Sequence, residues 1–153
     1  MRLKGLYVEH YKNIQGEYSF ANNQGYIALI GLNGSGKSNL LEAISLIFDC
    51  LFGLQANNPI GNFWIEYELD GEVCFYGNVD KGHQPMDLDN HPKLPSALIS
   101  CYSGEDERLW NFCYKEYYVR FFNAAIGGGE YKPKSLYINK YCWKIAFISL
   151  LFS

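Results

Sequence analysis

Apolar positions at 40, 41, 44, 47 and 51 recur at helical spacing and predict an α-helix from Lys37 to about Phe52, stopped by Gly53. Ahead of it, Leu3 to His10, Glu17 to Phe20 and Tyr26 to Ile30 read as strands, the last an apolar run of the length a buried strand needs. Phe63 to Leu69 and Glu72 to Tyr76 flank Asp70-Gly71, the pair that type I′ turns prefer, so the pattern predicts a β-hairpin. Residues 77 to 95 are polar and contain Pro85, Pro92 and Pro95, which reads as a surface loop. A strand follows at Ser96 to Tyr102. Ser103, with acidic residues at 105 to 107, suits the start of a helix that runs to about Ala125 and is stopped by Gly127-Gly128-Gly129. A short strand at Leu136 to Ile138 and an apolar helix from Tyr141 complete the pattern.

Between the predicted third strand and first helix lies Gly31-Leu32-Asn33-Gly34-Ser35-Gly36-Lys37-Ser38, which fits G-x-x-x-x-G-K-[ST]. A strand before and a helix after are the context in which that spacing wraps a triphosphate. Gly31, Gly34 and Gly36 let the backbone turn so that successive N–H groups converge on an anion, and the following helix aims its free amides and positive dipole end at the same place. Lys37 is expected to reach the β- and γ-phosphate oxygens of a nucleoside triphosphate. The Ser38 hydroxyl is expected to bind Mg2+.

The 153 residues are 48% hydrophobic and 19% charged, enough for one globular domain over 1–153 with its own core. A net charge of −3 offers no general field for nucleic acid. Five cysteines without a C-x-x-C pair suggest neither a disulfide framework nor a zinc site. The longest apolar run, Ile145 to Phe152, is well short of the roughly 20 residues needed to cross a bilayer, so a soluble, cytoplasmic protein without membrane association is expected. His83, Asp87, Asp89 and His91 could be drawn as metal ligands, but a solvated, proline-rich loop is the simpler reading.

The run GLNGSGKSNLLEAI, Gly31 to Ile44, resembles the P-loop and following helix of ABC-type ATPases of the SMC and RecF kind. Upstream, His10-Tyr11-Lys12-Asn13-Ile14 resembles the aromatic-basic-Asn/Ser segment that those proteins carry between their first strands, close to the nucleotide. The segments Ala97 to Trp110 and Tyr137 to Phe152 are similar to AAA-family ATPases associated with bacterial restriction and anti-phage systems. The resemblance implies an α/β fold: a P-loop NTPase core with an antiparallel β-subdomain, here an incomplete N-terminal lobe. It implies nucleotide contacts by Gly31, Asn33, Gly34, Ser35, Gly36, Lys37, Ser38 and Asn39, and also by Lys12 and Asn13 of the upstream segment. It also implies ATP-driven dimerisation, through self-association or a C-terminal ATPase lobe, coupled to DNA or to a nuclease.

Hydrolysis in that family needs four hydrophobic residues ending in Asp-Glu and an S-G-G-[QE] signature, and this chain has neither. Leu46-Ile47-Phe48-Asp49 lies inside the predicted helix and is not followed by Glu. Ser103-Gly104-Glu105 and Gly127-Gly128-Gly129-Glu130 only echo the signature, and helix cap and helix stop explain them better. ATP binding without turnover is therefore expected of this chain, in DNA maintenance or anti-phage defence. Two alternatives are a non-enzymatic interaction module with a vestigial nucleotide site, and a P-loop phosphotransferase. The second lacks the arginine-rich lid it would need, since only Arg2, Arg108 and Arg120 are present.

Overall fold

A computed structural model describes residues 1–20, 26–54, 60–87, 93–102, 110–129 and 134–139. The chain falls into two compact units, 1–95 and 96–153.

In the first unit, β1 (Arg2–Tyr11), β2 (Ile14–Ser19), β3 (Phe63–Leu69) and β4 (Glu72–Gly77) form an antiparallel sheet in the order β2-β1-β3-β4. Alternation decides which side is buried. Leu6 and Val8 of β1 lie opposite Ile65 and Phe63 of β3, and all four are wholly buried. Tyr67 and Cys74 continue that face into β4. Helix α1 (Lys37–Leu51) supplies the matching apolar residues Leu40, Ala43, Leu46, Ile47 and Phe48, and the Phe48 ring meets Tyr67 at 5.5 Å. The opposite face carries Tyr7, Trp64 and Phe75. Lys81 lies over the Trp64 and Phe75 rings and pairs with Glu66, while His83 stacks on Tyr7 at 4.1 Å and bonds Glu17. The first half of the expected 77–95 loop is thus ordered onto the sheet, its Asp80 carboxylate accepting from the Gly82 and Gln84 amides.

The turns behave as the sequence implies. Asp70 and Gly71 both adopt positive φ, 54° and 81°, as a type I′ turn requires. Helix α1 ends in a Schellman motif: Gly53 is left-handed, its N–H bonds Cys50 O, and the Leu54 N–H reaches back to Asp49 O.

One expected element is not formed. Tyr26 to Ile30 is not a strand, and Tyr26 and Ile30 are 77% and 95% exposed. An apolar strand of this kind is held by neighbours on its edges. The edges of the antiparallel sheet are β2 and β4, and neither takes residues 26–30 as a partner.

In the second unit, β5 (Leu98–Tyr102) pairs in parallel with β6 (Ser135–Asn139). Between them the described residues form one turn of π-helix at Trp110–Tyr114 and then α2 (Lys115–Ile126). Strand–helix–strand connection of a parallel pair is what an α/β fold demands. The Tyr137 ring lies 5.2 Å from Tyr114 and 6.0 Å from Trp110, and the Tyr114 hydroxyl bonds Ser100. The glycine run stops α2 as expected, with Gly128 left-handed and the Gly129 N–H on Ala124 O. The helix start expected at Ser103 and the apolar segment from Tyr141 lie outside the described residues. No helix among the described residues is long and apolar enough to cross a membrane.

Candidate functional site: a glycine-rich loop braced by a strand turn

The loop Gly31 to Ser38 turns at Leu32, whose carbonyl accepts the Ser35 N–H at 3.2 Å. Gly34 and Gly36 take φ of 86° and 92°, a region that L side chains rarely enter. Gly36 is also the N-cap of α1, with no side-chain cap bond. The first helical bond runs from the Leu40 N–H to Gly36 O at 2.8 Å, so the amides of Lys37, Ser38 and Asn39 have no acceptor within the helix. No acidic residue stands in that first turn. Free amides at the positive end of a 15-residue helix are an arrangement that favours an anion.

Lys37 folds back over this loop. Its ammonium donates to the carbonyls of Gly31 and Leu32 at 2.6 and 2.7 Å and lies 3.4 Å from the Ser35 hydroxyl. The ammonium is thus held in the loop by neutral acceptors, with no carboxylate paired to it among the described residues, and incoming phosphate oxygens would replace these as stronger acceptors. Beside the loop is a cavity of about 370 Å3 bordered by Ile14, Tyr18, Phe20, Leu29, Gly36 and Lys37, within the size range of small-molecule sites.

The turn between β1 and β2 reaches the loop from the sheet. Asn13 donates from Nδ2 to Gly34 O at 2.9 Å, and its Oδ1 accepts from Asn39 Nδ2 at 2.6 Å. Gly36 packs so closely on this turn that a Cβ there would stand 3.0 Å from Asn13 Oδ1 and 3.1 Å from Ile14 Cγ2. The neighbouring Lys12 contacts Glu42 of α1 through both carboxylate oxygens, at 2.7 and 2.8 Å, and Tyr11 donates to the same carboxylate at 2.9 Å.

The residues expected to hold ATP and Mg2+ are therefore gathered around one helix start, but in different roles. The loop glycines, Ser35, Lys37 and the first-turn residues Ser38 and Asn39 lie around the start of α1, with Asn33 at the tip of the loop. Lys12 and Asn13 contact α1 and the loop. A phosphate group fits the amides and glycines present. For Mg2+ the chain offers the Ser38 hydroxyl in the first turn, and no group of three or more His, Cys, Asp and Glu able to hold a metal occurs among the described residues. Asp49 is wholly buried, and eleven residues of helix place it about 16 Å along the axis from Ser38. His83 is engaged with Tyr7 and Glu17, while Asp89, His91, Ser103, Glu105 and Glu130 lie outside the described residues.

Glu42 escaped the sequence reading. Its signal was a carboxylate between Leu40 and Ala43 on the buried side of a helix, which calls for a cationic partner.

Residues 27–73 match the family described as "AAA domain, putative AbiEii toxin, Type IV TA system". The chain is also 32% identical over 125 residues to structural maintenance of chromosomes protein 1 of Caenorhabditis elegans, a match covering 70% of this chain. The chain spans about 10% of the length of that relative. No solved structure matches it significantly. The two matches support an SMC/RecF-like P-loop ATPase N-terminal region and a nucleotide-binding, ATPase-like domain.

Proposed function

We propose that this chain, as the N-terminal region of an SMC/RecF-like P-loop ATPase, binds Mg-ATP through Gly31 to Ser38 and does not turn it over alone. The observation that carries the reading is the joining of left-handed Gly34 and Gly36 to a helix start with three amides free of helical acceptors and Lys37 folded over the loop. In the family the metal supplies charge neutralisation at the β- and γ-phosphates. Here Ser38 would hold it, Lys37 would hold the γ-oxygens, and the loop amides would orient the chain of phosphates. Water activation needs a carboxylate at the γ-phosphate, and Asp49 lies too deep and too far along α1 to serve.

Self-association of such lobes, coupling to DNA or a nuclease, and work in DNA maintenance or anti-phage defence in the cytoplasm complete the proposal. Of these, the relative's name, which speaks of chromosome maintenance, and the family's, which speaks of a toxin–antitoxin system, favour only the roles in DNA maintenance and defence.

The test is a melting curve with and without Mg-ATP. At about 100 times the dissociation constant the ligand adds roughly 2.7 kcal/mol of stability, and Lys37→Ala should abolish that gain. Folded protein with no shift at millimolar Mg-ATP would overturn the binding reading. Phosphate release at about one per second, the low end of ordinary enzyme turnover, that is lost in Lys37→Ala would overturn the claim of no turnover.

A further inference from the structure

We propose that Asn13 is a positioning residue: its carboxamide ties the phosphate loop to both the β1–β2 turn and the first turn of α1, and so sets the loop amides before any ligand arrives. The inference rests on the reading of Gly31 to Ser38 as a phosphate site, and it assigns Asn13 a role exercised through the loop rather than on the nucleotide.

A glycine-rich loop has a weakness that goes with its use. Gly34 and Gly36 reach conformations closed to other residues, but each also has more conformations to lose on ordering than any other residue. A loop whose amides wander loses affinity, because binding must then supply the ordering. Something outside the loop has to hold it. The loop's own contacts are the Ser35 N–H bond to Leu32 O and the Lys37 contacts, and the Lys37 contacts would be given up to a phosphate.

Asn13 provides what those do not. Its donor goes to Gly34 O, between the two left-handed glycines and away from their N–H groups, so the bond leaves the amides free for an anion. Its acceptor goes to Asn39, in the first turn of α1. Both ends of the carboxamide are used, and both contacts are independent of ligand. The turn that presents Asn13 is itself fixed, since Lys12 and Tyr11 on its leading side converge on Glu42, one helical turn beyond Asn39. The absence of a side chain at Gly36 then has a second reason besides φ: the contact surface there is Asn13 and Ile14.

Substitutions separate donor from acceptor. Asn13→Asp keeps the volume and the acceptor for Asn39 but turns a carboxylate toward Gly34 O. Asn13→Ala removes both bonds without adding charge, and Asn39→Ala removes only the helix end. The experiment is 15N relaxation on the full chain without nucleotide, followed by titration with Mg-ATP. In Asn13→Ala the order parameters of Gly34, Ser35 and Gly36 should fall from the rigid range of about 0.85 to below about 0.6, with Leu46 to Phe48 unchanged. Mg-ATP affinity should drop on the order of tenfold in both Asn13 variants and less in Asn39→Ala.

Unchanged loop order in Asn13→Ala, or a loss that spreads equally into Leu46 to Phe48, overturns the proposal. So does wild-type affinity in Asn13→Ala. If that variant fails to fold, Asn13→Asp is read by the same measure; failure of both makes Asn13 a support of the whole fold and overturns the local role. Should the wild-type chain bind no Mg-ATP, the nucleotide reading falls while the relaxation arm still decides the brace.

Discussion

Lys12 and Glu42 form a two-pronged ion pair in which the two partners are unequally buried: the carboxylate side chain is 2% exposed and the lysine 33%. That asymmetry predicts an order of effects. Lys12→Met leaves a buried carboxylate that still accepts from the Tyr11 hydroxyl but has lost its cation, a loss of about 3 kcal/mol at the low end for breaking a buried pair. Glu42→Gln keeps an acceptor for Tyr11 and leaves a cation that can turn to solvent, so it should cost about 1 to 2 kcal/mol after allowance for screening. Urea unfolding of both variants checks the order. The reverse order would mean that the carboxylate is better solvated than its position between Leu40 and Ala43 implies.

Alanine at the two left-handed loop glycines should not act alike. At Gly34 a Cβ meets nothing within 4 Å, so Gly34→Ala brings only backbone strain, about 1 to 3 kcal/mol if φ is kept at 86°. At Gly36 the same strain, at 92°, is joined by contacts of 3.0 Å with Asn13 and 3.1 Å with Ile14. Gly36→Ala should therefore be the less stable of the two and the more damaged in its response to Mg-ATP. Parallel urea curves and nucleotide melting shifts measure both.

Local chemistry made much of this legible in the sequence. Asp70-Gly71 dictates its turn because both residues tolerate positive φ, and Gly53 and Gly128 close their helices for the same reason. The phosphate loop is likewise a local object. What failed was the inference that an apolar pentapeptide is a strand: Tyr26 to Ile30 carries the right residues, but strand formation depends on partners, and no edge of the sheet meets it. The Asn13 brace was equally hidden. The segment around Lys12 and Asn13 resembled one that lies near nucleotide, yet nothing in a linear pattern shows that an amide 21 residues upstream of Gly34 bonds its carbonyl. Nor does it show that the polar stretch after Gly77 folds His83 onto Tyr7.

Cys50 gives the chain an alkaline limit. Burial first, and the charge of Asp49 second, push its thiol up to about 11 from an ordinary 9.0. The unfolded chain releases that proton first, so the stability due to the buried thiol is fully present below about pH 9 and is lost as pH rises through about 11. Cys74 is raised in the same direction, again chiefly by burial, and Tyr67 adds to the effect at higher pH. Urea midpoints from pH 7 to 10.5 should be flat and then fall. Cys50→Ala should flatten the early part of that fall, and Cys50→Ala with Cys74→Ala more so. The same shift leaves Cys50 with on the order of 100-fold less thiolate than a free cysteine at pH 8, so peptide-resolved iodoacetamide labelling of folded protein should be slowed by that order. Labelling at the rate of a free thiol, with the fold intact by circular dichroism, would show that the last turn of α1 opens readily. In that case the Schellman bonds from Gly53 and Leu54 do not hold the helix end closed in solution.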